Sequence, residues 1–125
     1  MKLAIVIPAY NEEKVIGTVL QTLPKNLRGV DEIVSIVVDD GSNDETAKIA
    51  KKNGSRLIQF PINMGVGTAT VAGLKMAKKV GCDLAITIDA DGQHSSKDIP
   101  RLIKPILDKK ADVVIGTRLI DRRKM

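Results

Sequence analysis

The sequence predicts a three-layer α/β domain, a mostly parallel sheet of about five strands flanked by helices. Short apolar runs alternate with longer helical patterns, as in a βαβ series. The runs are near-continuous Ile, Val and Leu, as expected of strands covered on both faces. Aromatic residues make up only 2% of the chain. The core must therefore come from Ile, Val, Leu and Ala, which favours β-branched strands under Ala/Leu helices. With 125 residues, 43% hydrophobic and 28% charged, the chain has the size and composition of one globular domain.

The expected strands are Lys2–Ile7, Glu32–Val38, Arg56–Phe60, Asp83–Ile88 and Asp112–Gly116. Helices are expected at Glu12–Leu23, Asn43–Lys52, Val66–Val80 and Lys97–Asp108. Ser42-Asn43-Asp44-Glu45 has the spacing of a capping box, Ser42 as N-cap and Glu45 reaching back. Gly54 and Gly81 stand where helices need a left-handed stop. Ser96 fits an N-cap for the fourth helix. Pro100 is tolerable in its first turn, while Pro105 removes a hydrogen bond and should bend it. After the fifth strand the tail Leu119–Met125 carries no patterned element and looks cut rather than finished. The expectation is one domain portion over residues 1–125, truncated at the carboxyl end.

The single cysteine, Cys82, cannot form an internal disulfide and reads as a small buried residue after a helix stop, which fits a reducing compartment. The apolar start Leu3–Ile7 ends at Pro8, short of the ~20 residues a bilayer needs. A formal charge of +5 points to anionic partners such as nucleotides, phosphorylated lipids or a membrane surface. Most lysines fall on helices as solvated faces. Nucleic-acid binding is disfavoured because stacking aromatics are nearly absent.

In open α/β sheets, ligands bind beyond the carboxyl ends of the strands, where strand order reverses. Strand one is followed by Pro8-Ala9-Tyr10-Asn11-Glu12-Glu13 and strand two by Asp39-Asp40-Gly41-Ser42-Asn43-Asp44. Strand four is followed by Asp89-Ala90-Asp91-Gly92-Gln93-His94 and strand five by Thr117-Arg118. Crowded carboxylates repel one another unless a cation or hydrogen-bond donors compensate. A divalent metal is the economical expectation. Mg²⁺ or Mn²⁺ takes hard oxygen ligands from one or two carboxylates, waters and substrate phosphates. Asp89 and Asp91 are spaced to reach one ion as the chain turns at Gly92, with Gln93 adding an amide oxygen.

Other chemistries fit less well. Asp-x-Asp-Gly is also a common turn. A calcium loop starting at Asp89 would place Pro100, not Glu, at its twelfth position. Gly65-Val66-Gly67 is a broken dinucleotide fingerprint, and its small residues read better as close packing of the third helix on the sheet. His94 is the only histidine, and no Ser/His/Asp or Cys/His set exists for covalent hydrolysis. A receiver-like signalling domain expects paired acids after the first strand and a lysine after the last. Here the pair follows the second strand and Arg118 follows the last.

Taken in order, Pro8–Glu13, Val38–Thr46, Asn63–Gly67, Asp89–His94 and Gly116-Thr117-Arg118 resemble family 2 inverting glycosyltransferases of the GT-A, Rossmann-like fold. The likeness is greatest to the polyprenyl-phosphate branch typified by dolichol-phosphate mannose synthase, and it covers nearly the whole chain. It implies a hexosyltransferase that carries sugar from a UDP- or GDP-linked donor to an acceptor such as a dolichyl phosphate. Pro8, Tyr10, Glu12, Val38 and Asp40 match nucleotide-binding positions, and Asp39 a more structural one. Asp89 and Asp91 match the DXD pair on metal and diphosphate, with Gln93 as a third metal ligand. Arg118 matches a phosphate-facing position, so that Asp89, Asp91 and Arg118 form the implied catalytic set. Acceptor binding and any general base would lie beyond Met125, which leaves a non-catalytic nucleotide-binding module as the alternative. A cytoplasmic location is expected in keeping with the lone cysteine, with a polyprenyl-phosphate acceptor placing the chain peripherally at the cytoplasmic face of the membrane, and self-association through apolar surface is a further expectation.

Overall fold

The computed structural model describes residues 1–90 and 99–107. They form β1 (Lys2–Ala9), α1 (Ile16–Gln21), β2 (Glu32–Asp39), α2 (Thr46–Lys52), β3 (Arg56–Gln59), α3 (Val66–Lys79), β4 (Leu84–Thr87) and α4 (Ile99–Leu107). The expected fifth strand, Asp112–Gly116, lies outside the described residues.

The four strands form one sheet in the order β3-β2-β1-β4, and every pairing is parallel. The uninterrupted apolar runs are explained by burial on both faces. Leu3, Ile5, Ile7 and Ala9 of β1 join Val37, Leu84 and Ile86 in a core shared with Ile16 and Leu20 of α1, Ala50 of α2 and Ile99 and Ile103 of α4. The alternate residues Ala4, Val6, Ile36 and Val38 pack against Ala69 and Ala77 of α3. Helices α1, α2 and α4 thus cover one face and α3 the other, giving three layers.

Close packing of α3 depends on Gly73, not on Gly65 or Gly67 as expected. A Cβ on Gly73 would stand 2.2 Å from Val6 Cγ1 and 3.2 Å from Val38 Cγ2, whereas one on Gly65 or Gly67 would meet nothing within 4 Å. Gly65 is needed for its backbone, which enters the helix at φ 100°. Gly54 and Gly81 do provide left-handed stops, at φ 82° and 84°. Pro100 sits in the first turn of α4, which runs on through Pro105. Cys82 is half-buried beside the α3 core, and burial, the largest influence, pushes its thiol above the ordinary value of 9.0.

Helices α1 and α2 start later than their sequence patterns, by four and three residues, because their first turns are drawn into contacts between loops. Glu45 precedes α2 without a capping side-chain bond, so the capping box does not form. Among the described residues no helix is long and apolar enough to cross a membrane.

Candidate functional site

Strand order reverses at β1, which pairs with β2 on one side and β4 on the other. The two pairings end at different heights. Pairing with β4 stops at Val6↔Thr87, whereas pairing with β2 continues to Ala9↔Asp39. Val6 accepts the Ile88 N–H at 3.0 Å and Ala9 the Asp40 N–H at 2.8 Å, so alternate residues of β1 face alternate neighbours. Pro8 falls on the β4 side and has no N–H to offer. The two strands part there, at the kind of crevice where open α/β sheets bind ligands.

Three loops leave this edge and are tied together. Loop 1 (residues 10–13) follows β1, loop 2 (40–45) follows β2 and loop 3 (61–65) follows β3. Asn11 donates its N–H to Ser42 Oγ at 2.8 Å and accepts the Asn43 N–H on Oδ1 at 2.9 Å. Glu12 donates its N–H to Thr46 Oγ1 at 2.9 Å and Glu13 its N–H to Asp44 Oδ2 at 3.2 Å. In return Glu13 Oε2 accepts the Glu45 N–H at 3.1 Å. Ser42 and Glu45, the expected capping pair, therefore bind loop 1 instead of each other. Asn11 is also the one non-glycine among the described residues with positive φ, at 51°, a conformation that Asn tolerates better than most residues.

Loop 3 hangs on loop 2. Asp40 is buried, and its carboxylate accepts the Met64 N–H at 2.6 Å and the Gly65 N–H at 3.0 Å. Gly41 lies so close beneath loop 3 that a Cβ would stand 2.3 Å from the Ile62 carbonyl carbon. Asp39, also buried, turns its Oδ1 to the Ser42 N–H at 3.0 Å, matching its expected structural part. Burial works to raise the Asp44 carboxyl. The Thr46 hydroxyl and N–H and the Glu13 N–H outweigh burial and hold it below the usual 3.8.

The predicted site residues divide accordingly. Tyr10, 44% exposed, and the half-buried Pro8, Glu12 and Asp89 lie at the carboxyl ends of β1 and β4, beside the crevice. Asp40 is at the same edge as an anchor of loop 3. Val38, expected in the base slot, is fully buried in the core under α3 and supports the loops from beneath. Asp91, Gln93 and Arg118 lie outside the described residues. Among the described residues no group of three His, Cys, Asp or Glu side chains is placed to hold a metal ion. The hard-oxygen set expected for Mg²⁺ or Mn²⁺ rests on Asp89 together with Asp91 and Gln93. Sequence reasoning missed Asn11 and Thr46 as the joints between loops 1 and 2. The signal available for Asn11 is its residue type, since Asn is enriched among non-glycine residues with positive φ.

A cleft of about 620 Å³ lies elsewhere, lined by Met1, Leu27, Arg28, Ile103 and Lys104 among others. It sits at the amino ends of β1 and β2, and among the described residues its lining holds no acid, so it does not match the carboxyl edge as a diphosphate–metal site.

Comparison with known proteins finds relatives over nearly the whole chain. A UDP-N-acetylglucosamine–dolichyl-phosphate N-acetylglucosaminyltransferase of Methanococcus voltae is 41% identical over 132 residues, covering 92% of this chain and 51% of that protein. An undecaprenyl-phosphate mannosyltransferase of Micrococcus luteus is 32% identical over 130 residues, covering 100% of this chain and 51% of that protein. The chain thus spans about half the length of the curated relatives it matches. Among solved structures, glucosyl-3-phosphoglycerate synthase from Mycobacterium tuberculosis, in complex with Mn²⁺, UDP-glucose and phosphoglyceric acid, superposes with a TM-score of 0.66. It is 30% identical and covers 85% of this chain and 39% of that one. The family model Glycosyl transferase family 2 matches residues 4–124, and the chain belongs to that family.

Proposed function

We propose that the chain is the nucleotide-sugar-binding part of a glycosyltransferase that moves a sugar from a UDP- or GDP-linked donor to a polyprenyl phosphate such as dolichyl phosphate. The observation that carries this reading is the position of Asp89. It leaves the carboxyl end of β4 across the β1/β4 parting from Pro8 and Tyr10, where a diphosphate would lie. The relatives named for polyprenyl-phosphate acceptors support the choice of acceptor.

Tyr10 offers the nucleoside an aromatic face and a hydroxyl, and Glu12 an acceptor for ribose or base donors. Asp40 takes part chiefly by fixing loop 3, with its remaining lone pairs available to the base. Asp89, Asp91 and Gln93 form the hard-oxygen set suited to Mg²⁺ or Mn²⁺. Breaking the sugar–phosphate bond leaves negative charge on the nucleoside diphosphate, and a divalent ion held there supplies Lewis-acid stabilisation of that charge. Arg118 adds charge-assisted hydrogen bonds to the same phosphates. A lipid-phosphate acceptor is already anionic and needs no strong general base. Such an acceptor brings the protein to a membrane surface, in keeping with a peripheral, cytoplasmic placement.

The test is calorimetry of the chain with UDP- and GDP-sugars, with and without Mn²⁺. Metal-dependent binding of one nucleotide class is expected, and Asp91→Ala should abolish it. Binding unchanged in that variant would remove Asp91 from the site, and no heat with either class would overturn the reading. Sugar transfer to a polyprenyl phosphate, measured on the same chain, separates a transferase from a module that only binds.

A further inference from the structure

We propose that Asn11 is the positioning residue that presents Tyr10 and Glu12 to the nucleoside. The inference rests on the nucleotide-binding reading above, and adds a residue that the reading does not use. Three observations meet at this position. Asn11, just beyond Tyr10 in the loop after β1, holds a left-handed φ of 51°. Its N–H and its side-chain Oδ1 bond to adjacent residues of loop 2, Ser42 Oγ at 2.8 Å and the Asn43 N–H at 2.9 Å. On either side of it stand Tyr10, 44% exposed, and Glu12, half-buried.

The bonds run in opposite directions across the two loops, so neither loop can slide without breaking one. Thr46 Oγ1 then fixes the Glu12 N–H at 2.9 Å, and Thr46 itself is fully buried. The clasp leaves Tyr10 projecting from a backbone that is pinned immediately after it. A large exposed aromatic ring on an unpinned loop would lose orientational freedom on binding, and that loss weakens affinity. Asn11 removes the cost beforehand. Gly could match the φ but not the Oδ1 bond, and Ala could supply neither.

Tyr10 is the only tyrosine and the chain has no tryptophan, so intrinsic fluorescence reports on loop 1 alone. The experiment compares steady-state anisotropy of Tyr10 in the ligand-free wild-type chain, Asn11→Gly, Asn11→Asp and Ser42→Ala, each well below its melting temperature. Asn11→Gly and Ser42→Ala should lower the anisotropy, whereas Asn11→Asp keeps the acceptor oxygen and should retain it. Nucleotide affinity of Asn11→Gly should fall about tenfold, the equivalent of one hydrogen bond's net contribution. Wild-type anisotropy in both Asn11→Gly and Ser42→Ala would overturn the proposal, as would equal loss in Asn11→Asp and Asn11→Gly. If Asn11→Gly does not fold, Ser42→Ala alone decides. The nucleotide reading fails separately, if UDP and GDP both leave the wild-type Tyr10 emission unchanged in the presence of Mn²⁺ and calorimetry detects no binding.

Discussion

Replacing Gly41 with alanine isolates how firmly loop 3 is held. Two costs add at this position. The first is conformational: Gly41 has φ 78°, and an L side chain in the left-handed region costs roughly 1–2 kcal/mol. Part of that is offset by about 0.4–1 kcal/mol because alanine also restricts the unfolded chain. The second is steric. The new Cβ would lie 2.3 Å from the Ile62 carbonyl carbon and 2.4 Å from the Asn63 nitrogen, where ordinary contact begins at 3.4 Å. The obstacle is backbone and cannot rotate away, so loop 3 must retreat by about 1 Å to reach a normal contact distance. The same loop is bonded to Asp40, the residue next to Gly41, at 2.6 and 3.0 Å. A retreat of that size breaks at least one of these bonds to a charged acceptor, worth about 1.5–3 kcal/mol.

Gly54→Ala is the internal control. Gly54 has nearly the same φ, 82°, but a Cβ there would meet nothing within 4 Å. It should cost about 1 kcal/mol, against about 3 kcal/mol for Gly41→Ala once the broken bond is included. With a urea slope near 2 kcal/mol per molar, the midpoints should differ by roughly 1 M. Urea unfolding followed by far-ultraviolet circular dichroism measures this directly. Midpoints that agree within about 0.25 M, on the same slope, would refute the argument that loop 3 is pinned against loop 2.

Two further outcomes follow from the titrating groups. The Asp44 carboxyl is held below its ordinary value of 3.8, so its folded-state contribution is fully present above about that pH and is lost as pH falls through the lowered folded value. The stability advantage of wild type over Asp44→Asn, from urea midpoints, should therefore shrink in acid, and a gap constant from pH 6 to pH 2.5 (roughly the span set by such shifts) would contradict it. Burial holds the Cys82 thiol above 9.0, leaving it protonated at neutral pH. Its alkylation by iodoacetamide should be slower than that of free cysteine and should accelerate in alkali, whereas a rate matching free cysteine at neutral pH would count against that environment.

The legible and illegible parts of the fold separate by the range of the interactions that decide them. β1, β2 and β4 could be read because burial on both faces leaves a continuous apolar run, and no nearby residue competes with that outcome. The left-handed stops at Gly54 and Gly81 are equally local. The beginnings of α1 and α2 are not. Their first turns compete with partners more than 30 residues away: the Glu12 and Glu13 N–H groups go to Thr46 and Asp44, and the Asn43 N–H goes to Asn11. A Ser-x-x-Glu spacing cannot reveal that Ser42 has a better use across the sheet edge. The same limit applies to Asn63-Met64-Gly65, whose place in a motif could be recognised while its physical reason, the Asp40 carboxylate, lies in another loop. In the sequence, Gly65 and Gly67 stand together and so suggest themselves as the close approach of α3. The contact with Val6 falls on Gly73, one helical face and two turns away.

Carboxylates gathered at one sheet edge require compensation, and a divalent ion would provide it for all of them at once. The fold instead provides backbone donors to four of them. Asp39 has the Ser42 N–H, Asp40 those of Met64 and Gly65, Asp44 those of Thr46 and Glu13, and Glu13 that of Glu45. Such donors compensate a carboxylate's charge without any ion, and at Asp44 they outweigh burial, which works the other way. These four acids are therefore explained as fasteners, and their number is no evidence for metal. The case for a cation narrows to the segment after β4, where Asp89 stands half-buried at the parting of β1 and β4. Metal dependence should accordingly follow substitutions at Asp89 and Asp91. Substitution of Asp44 or Glu13 should instead act through loop stability, leaving the metal requirement of nucleotide binding intact.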